Sequence, residues 1–293
     1  MNSLSVVKPI FSKKANIFLF CKISKASSCI VKRYLFDFLE EVINRVKTFS
    51  HILLFLDYDG TLVPICREPS LAKLPLEEKK ILRALSRKSW LSVGIISGRS
   101  LKEVRKLVGI KGLFYVGNHG FEILFRGRVW VHPELKGFES KLKRVTSELK
   151  RYTKGINGIL VEGKGVTVSV HYRNLTGKSP GSVFEIISKV LEELYPRIFT
   201  ITRGKKVYEV RPHINWDKGK AVVKISQLLG LIKIKPLKIY IGDDQTDEDA
   251  FRVLEDDDIS IRVGYRKGSK ALYFCKGSGE ILQFIKELAL LRD

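Results

Sequence analysis

The sequence predicts an α/β protein, a doubly wound parallel sheet with an α+β module inserted into it. Three observations carry this. Five short apolar runs end in turn chemistry, helical periodicity fills the intervals between them, and residues 122–208 break that alternation. With 44% apolar residues, 16 Phe and 10 Tyr in 293 residues, the chain has ample material for the core of one large domain or two modest ones.

The first 36 residues carry seven Lys or Arg, six Ser and no acid. This is the composition of an organelle-targeting leader, and equally of a lysine-rich tail or a misassigned start codon. Residues 1–36 are therefore set apart as a basic leader, with disorder as one expectation. From 34 to 49 apolar residues recur at helical spacing (Leu35, Phe38, Leu39, Val42, Ile43, Val46), which predicts an amphipathic helix packed on the domain that follows. Runs at 51–56, 91–96, 112–116, 237–241 and 259–263 read as buried parallel strands. Helices are expected near 76–87, 100–108, 217–229, 246–254 and 279–290. Within 122–208 the order reads two strands, a long helix near 133–152, a hairpin of 158–162 and 166–171 around Gly163-Lys164-Gly165, a helix near 182–194 and two closing strands. The core is thus expected at 37–121 and 209–293, with the insert at 122–208.

Fifty-three Lys and Arg against 31 Asp and Glu give a net charge of +22, which favours an anionic partner without choosing among phosphates, nucleic acid and lipid headgroups. The longest apolar stretches are about five residues, against the roughly twenty that span a bilayer, so no transmembrane segment is expected. Cys21, Cys29, Cys66 and Cys275 are scattered without the short paired spacing of a zinc site or a disulfide scaffold, which makes a reducing, cytoplasmic location the default. The rival class is a cationic protein that binds nucleic acid or membrane surfaces. Against it, the basic residues are distributed along the chain and not interleaved with aromatics in a recognisable motif. Neither partner is expected.

Four segments carry chemistry. The strand at 51–56 runs into Asp57-Tyr58-Asp59-Gly60-Thr61, and the crevice beyond strand carboxyl ends is where open α/β sheets bind ligands. Alternation puts Asp57 and Asp59 on one side of the chain, while Gly60 permits a tight turn. The strand at 91–96 ends in Ser97-Gly98-Arg99 at a helix start, an anion site by its geometry. The strand at 237–241 runs into Gly242-Asp243-Asp244-Gln245-Thr246-Asp247-Glu248-Asp249, where crowded carboxylates need a cation. Oxygen ligands with no nearby His or Cys favour Mg²⁺. Lys218 opens the helix after the insert and completes the set. Together they suit phosphoryl transfer. Asp57 attacks phosphorus to form an aspartyl-phosphate. Asp57, Asp243 and the Asp59 carbonyl hold Mg²⁺, Asp59 serves as acid and then base, and Ser97 and Lys218 hold phosphate oxygens.

In order and content the segments DYDGT, SGR, the lysine of WDKG and GDDQTDED resemble the four motifs of the haloacid dehalogenase superfamily. The resemblance extends further. Residues of about 50–290 are similar to the trehalose 6-phosphate phosphatase family, with LDYDGTLVPI, ISGR, GNHGFE, VEGKGVTVSVHYR, EVRP and GDDQTDEDAF in that order. The resemblance implies a Rossmann-like core, the insert as a substrate-specificity cap, Mg²⁺ as cofactor and hydrolysis of trehalose 6-phosphate; a monomer is expected. It matches Asp57, Asp59, Thr61, Ser97, Lys218, Asp243, Asp244 and Asp247 as core positions, with Thr61 among the phosphate binders and Asp244 and Asp247 supporting the metal ligands. In the cap, Glu162, Lys164, Glu209 and Arg211 match sugar-recognition positions. Asn118 and His119 could touch substrate or shape the turn. Sucrose phosphate or a glycosyl phosphoglycerate is the alternative substrate.

Overall fold

Strand β2 (Ile52–Asp57) shows how the sequence builds the core. All six residues are buried, and the side chains alternate: Ile52, Leu54 and Leu56 enter one apolar cluster, Leu53 and Phe55 another. A strand buried on both faces needs a helical layer on each. In the computed structural model, which describes residues 33–66 and 71–292, helices α1 (Leu39–Thr48), α2 (Leu76–Leu85), α3 (Leu101–Val108) and α8 (Ser278–Leu290) cover one face. Helices α6 (Lys218–Leu228) and α7 (Asp247–Val253) cover the other.

The sheet has nine strands. Its order is β1 (Arg33–Tyr34), β13 (Tyr273–Cys275), β12 (Ile259–Val263), β11 (Leu237–Gly242), β2, β3 (Leu91–Ile96), β4 (Phe114–Gly117), β5 (Glu122–Phe125) and β6 (Arg128–Val131). Pairing is parallel from β1 through β4 and antiparallel across β5 and β6. Chain order runs outward from β2 through β3 and β4, then from β11 through β12 and β13 on the other side. The junction of β2 and β11 is therefore the topological switch point, where such sheets bind ligands. Register brings their ends level: Leu56 pairs with Ile241 and Asp57 with Ile96.

The second sheet is antiparallel, in the order β7 (Leu160–Gly163), β8 (Val168–His171), β10 (Val207–Pro212) and β9 (Phe199–Gly204). Helices α4 (Phe138–Tyr152) and α5 (Pro180–Leu194) pack on one face, where Leu142, Val145, Leu149, Val183 and Ile187 meet Val161, Val168, Val170, Tyr208 and Val210. The period of two turns Ser169 and Glu209 to the opposite face.

Three expected boundaries shift. The leader expected at 1–36 falls largely outside the described residues, but Arg33 and Tyr34 pair in parallel with β13, and a 3₁₀ turn at Leu35–Phe38 precedes α1. The two strands expected to open the insert belong to the central sheet instead: β5 pairs with β4, and β6 with β5. The final strand β10, expected to end near 208, runs to Pro212 because it pairs with all six residues of β9. The chain thus crosses between the two sheets at 132–137 and 213–217, not at the expected 121–122 and 208–209. Among the described residues no helix is long and apolar enough to cross a membrane.

Candidate active site

The floor of the site is the carboxyl end of β2. Asp57 is buried and accepts a hydrogen bond on Oδ1 from Lys218 Nζ at 2.8 Å. The turn that follows closes tightly, with Gly60 N–H donating to the Val63 carbonyl at 2.7 Å. Gly60 has φ +94°, and a Cβ there would lie 2.2 Å from Asp243 Oδ2. Glycine is thus required twice, by backbone sign and by the approach of the acidic loop.

Lys218 is the first residue of α6, held there by its neighbour Asp217, which caps the helix by accepting from Lys220 N–H at 2.9 Å. The Lys218 ammonium also donates to Asp247 Oδ1 at 2.6 Å. Asp247 is fully buried and receives three further bonds: from Tyr240 Oη at 2.7 Å, and on Oδ2 from the N–H groups of Asp243 (3.0 Å) and Asp244 (2.8 Å). Four donors fill its four lone-pair sites. Burial works against the Asp247 carboxylate, but Lys218 and these donors outweigh it and hold it below the usual range.

Asp243 differs. Its Oδ1 is buried with no hydrogen-bond partner among the described residues, while Oδ2 pairs with the Lys205 ammonium from the β9–β10 turn. One oxygen each from Asp57, Asp243 and Asp247 lies within 4.8 Å of the others. Burial pushes the Asp57 carboxyl well above its ordinary value; Lys218 opposes the shift, and Asp247 and Asp243 add to it. Burial also raises Asp243, with Lys205 opposing. Two carboxylates that resist ionisation, one with an orphaned oxygen, fit a hard divalent cation. Asp57 and Asp243 are the two that have oxygens left to offer such an ion. Asp247, whose lone pairs are spent, orients the loop, as does the backbone of Asp244.

Ser97 is buried at the end of β3, and its Oγ accepts from Arg99 N–H at 3.1 Å. Arg99 grips Asp59 with two bonds of 2.7 Å and also contacts Glu103. Thr61 Oγ1 is buried without a partner among the described residues and does not line the cavity.

The second sheet forms the roof. Lys164 donates to the Gly98 carbonyl (3.0 Å) and to Glu209 Oε1 (3.4 Å), while His119 Nε2 meets Glu209 Oε2 at 2.5 Å. Burial opposes ionisation of Glu209, but the His119 contact, Lys164 and Arg211 overcome it and hold the group well below the carboxylate range. Burial lowers His119. Glu162 pairs with His171 Nε2 at 3.1 Å, which lowers the Glu162 pKa. Floor and roof enclose a cavity of about 600 Å³ bordered by Asp57, Asp59, Ser97, Lys218, Asp243 and Asp244 below and by Glu162, Lys164, His171, Arg173, Lys205 and Glu209 above, with His119 beside them.

Two residues expected at the sugar do not reach this cavity. Arg211 lies over the Phe121 ring and donates to the Trp216 carbonyl. Asn118 is buried, donating to Glu122 and accepting from Thr167. Both brace the junction of the sheets. Conversely His171, Arg173 and Lys205 border the cavity and were not singled out from sequence. Alternation along 169, 171 and 173, opposite Glu162 in the pairing, carried a signal for the first two; a lysine at a hairpin tip carried none.

A model of the family described as trehalose-phosphatase matches residues 55–279. The chain belongs to the trehalose-phosphatase family. The family consists of hydrolases of phosphoric monoesters. Trehalose-phosphate phosphatase B of Arabidopsis thaliana is 33% identical over 266 residues, covering 86% of this chain and 70% of that protein. The structure of the C-terminal domain of trehalose-6-phosphate phosphatase from C. albicans superposes with a TM-score of 0.76 at 26% identity, covering 90% of this chain and all of that one. A haloacid dehalogenase-like hydrolase from B. subtilis shares the fold at a TM-score of 0.53 and 16% identity, over 82% of this chain and 99% of that one. The core fold expected from the four motifs is therefore the one present.

Proposed function

We propose that this trehalose-phosphatase hydrolyses trehalose 6-phosphate to trehalose and inorganic phosphate through an aspartyl-phosphate on Asp57, with Mg²⁺ as cofactor and in the cytosol. The observation that carries this reading is the convergence of Asp57, Ser97, Lys218 and Asp243 on one cavity whose opposite wall bears Glu162, Lys164 and Glu209. Lys218 fixes Asp57 by Oδ1, leaving Oδ2 to attack phosphorus. The P–O bond to the sugar breaks as the P–O bond to Asp57 forms. Ser97 and Lys218 hold the phosphate oxygens. Asp59 gives its proton to the departing sugar oxygen, then takes one from the water that hydrolyses the intermediate. To do so it must turn away from the Arg99 fork that holds both its oxygens. Asp57 and Asp243, with the Asp59 carbonyl, would hold Mg²⁺, which when bound offsets the repulsion between the carboxylate nucleophile and the phosphate.

The roof suits a neutral disaccharide. Sugar hydroxyls both donate and accept, so they pair with carboxylates such as Glu162 and Glu209 and with the ammonium of Lys164. We read the 138–212 module as the cap that excludes water from the reaction. The test is phosphate release from trehalose 6-phosphate, glucose 6-phosphate, sucrose 6-phosphate and mannosyl-3-phosphoglycerate, with Mg²⁺ and with EDTA. Trehalose 6-phosphate should turn over fastest, and EDTA should stop the reaction. Hydrolysis of trehalose 6-phosphate no faster than of glucose 6-phosphate would defeat the substrate assignment.

A further inference from the structure

Arg262, at the carboxyl end of β12, pairs in register with Gly242 and is buried beneath the acidic loop. Its Nη2 donates to the Asp243 carbonyl at 2.5 Å, and its Nη1 to the Asp244 carbonyl at 3.2 Å and to Glu248 Oε1 at 2.7 Å. Glu248 is also buried, and its other oxygen accepts from Lys270 N–H at 2.7 Å. The guanidinium is therefore anchored on a carboxylate that is itself anchored on backbone. Its Nε–H is buried without a partner among the described residues, a cost the fold carries. The two residues of the acidic loop are thus pinned from both sides. Asp247 takes their N–H groups, and Arg262 takes their carbonyls.

This bears on which ion the loop accepts. Ca²⁺ takes six to eight oxygens in adaptable geometry, whereas Mg²⁺ demands near-octahedral placement at shorter distance. Carbonyls free to rotate next to Asp243 would supply the extra, loosely placed oxygens that suit Ca²⁺. Carbonyls locked on a guanidinium cannot. We infer that Arg262 is a positioning residue that makes the site discriminate Mg²⁺ from Ca²⁺, by holding the Asp243 and Asp244 carbonyls away from the ion and the Asp243 carboxylate rigid. The inference rests on the metal site proposed above.

Displacement of Mn²⁺ by Mg²⁺ or Ca²⁺, followed by electron paramagnetic resonance on substrate-free full-length protein, tests it. Arg262→Lys keeps the charge beside Glu248 but has no fork. It should lower the ratio of Mg²⁺ to Ca²⁺ affinity about tenfold, the lower end of what outer-shell changes do to metal sites. Glu248→Asp withdraws the anchor and should move the ratio in the same direction; it decides the matter if Arg262→Lys does not fold. Asp243→Asn should lose both ions. An unchanged ratio in a folded variant, beside a wild type whose Mn²⁺ binding depends on Asp243, would overturn the role of Arg262 alone. Mn²⁺ binding indifferent to Asp243→Asn would remove the proposed metal site and this inference with it.

Discussion

Asp57, Asp243 and Asp247 are buried together and share two ammonium groups, Lys218 and Lys205. Two substitutions that both abolish turnover should therefore separate in stability. Asp57→Asn removes the nucleophile, for a fall in kcat of roughly 10⁴-fold or more. It also relieves repulsion with Asp243 and leaves Lys218 paired to Asp247, so the melting temperature should hold or rise. Lys218→Met strands two buried carboxylates and should cost about 3–5 kcal/mol. Urea unfolding of both variants checks the contrast. The same carboxylates set a pH dependence. Asp57 and Asp243 have folded pKa values above their unfolded ones. Their contribution to stability is thus present below the unfolded value near 3.8 and lost as pH rises through the folded one. A cation that requires the ionised forms reverses that loss. The rise in melting temperature produced by Mg²⁺ over EDTA should accordingly be larger at pH 7.5 than at pH 5. Equal increments would show that the ion does not bind these groups.

Among the elements, the turn after β2 is the most constrained. Gly60→Ala places a methyl on Asp243 and forces a non-glycine residue to positive φ. It should cost about 1–3 kcal/mol and displace Asp243 from the site, with activity lost more completely than stability; a fully active variant would refute the close approach. That turn was legible in the sequence, and so were the five parallel strands, because a run buried on both faces has to be apolar throughout and then stop at polar residues. What was not legible is partnership. A short antiparallel hairpin such as β5–β6 reads the same whichever sheet it joins, and only the pairing of β5 with β4, through Tyr115, Val116 and Gly117, assigns it to the core. Arg211 sits on the strand face expected to meet sugar, yet packing against Phe121 takes it to the junction instead. The clamp of Arg262 on Glu248 joins residues with no motif between them, and no spacing rule would have found it.

Over the whole molecule, the two sheets meet through polar contacts: Lys164 on Gly98, His119 on Glu209, Lys205 on Asp243, Thr167 on Asn118 and Arg173 on the Cys66 carbonyl. The large apolar clusters lie within each sheet's own layer. Polar contacts re-form readily with water, so separating the module from the core would expose neither apolar cluster, and under the proposed cap role a few charged groups would govern closure. Glu209 carries one of these links: Lys164, Thr167 and Ser169 of its own module converge on Oε1, and His119 of the core meets Oε2. Glu209→Gln keeps the volume but removes the charge and one of the two acceptor oxygens, and with them the carboxylate contact to His119 of the core. It should therefore loosen closure more than it loosens either fold. Hydrogen exchange should quicken at 118–122 and 164–167 while β2, β7, β8 and the helices of the module stay protected. Turnover of the phosphosugar should fall about tenfold or more, as expected for lost positioning. If exchange instead quickened across β7, β8 and α4 together, Glu209 would be holding the module's own fold and not its seat on the core.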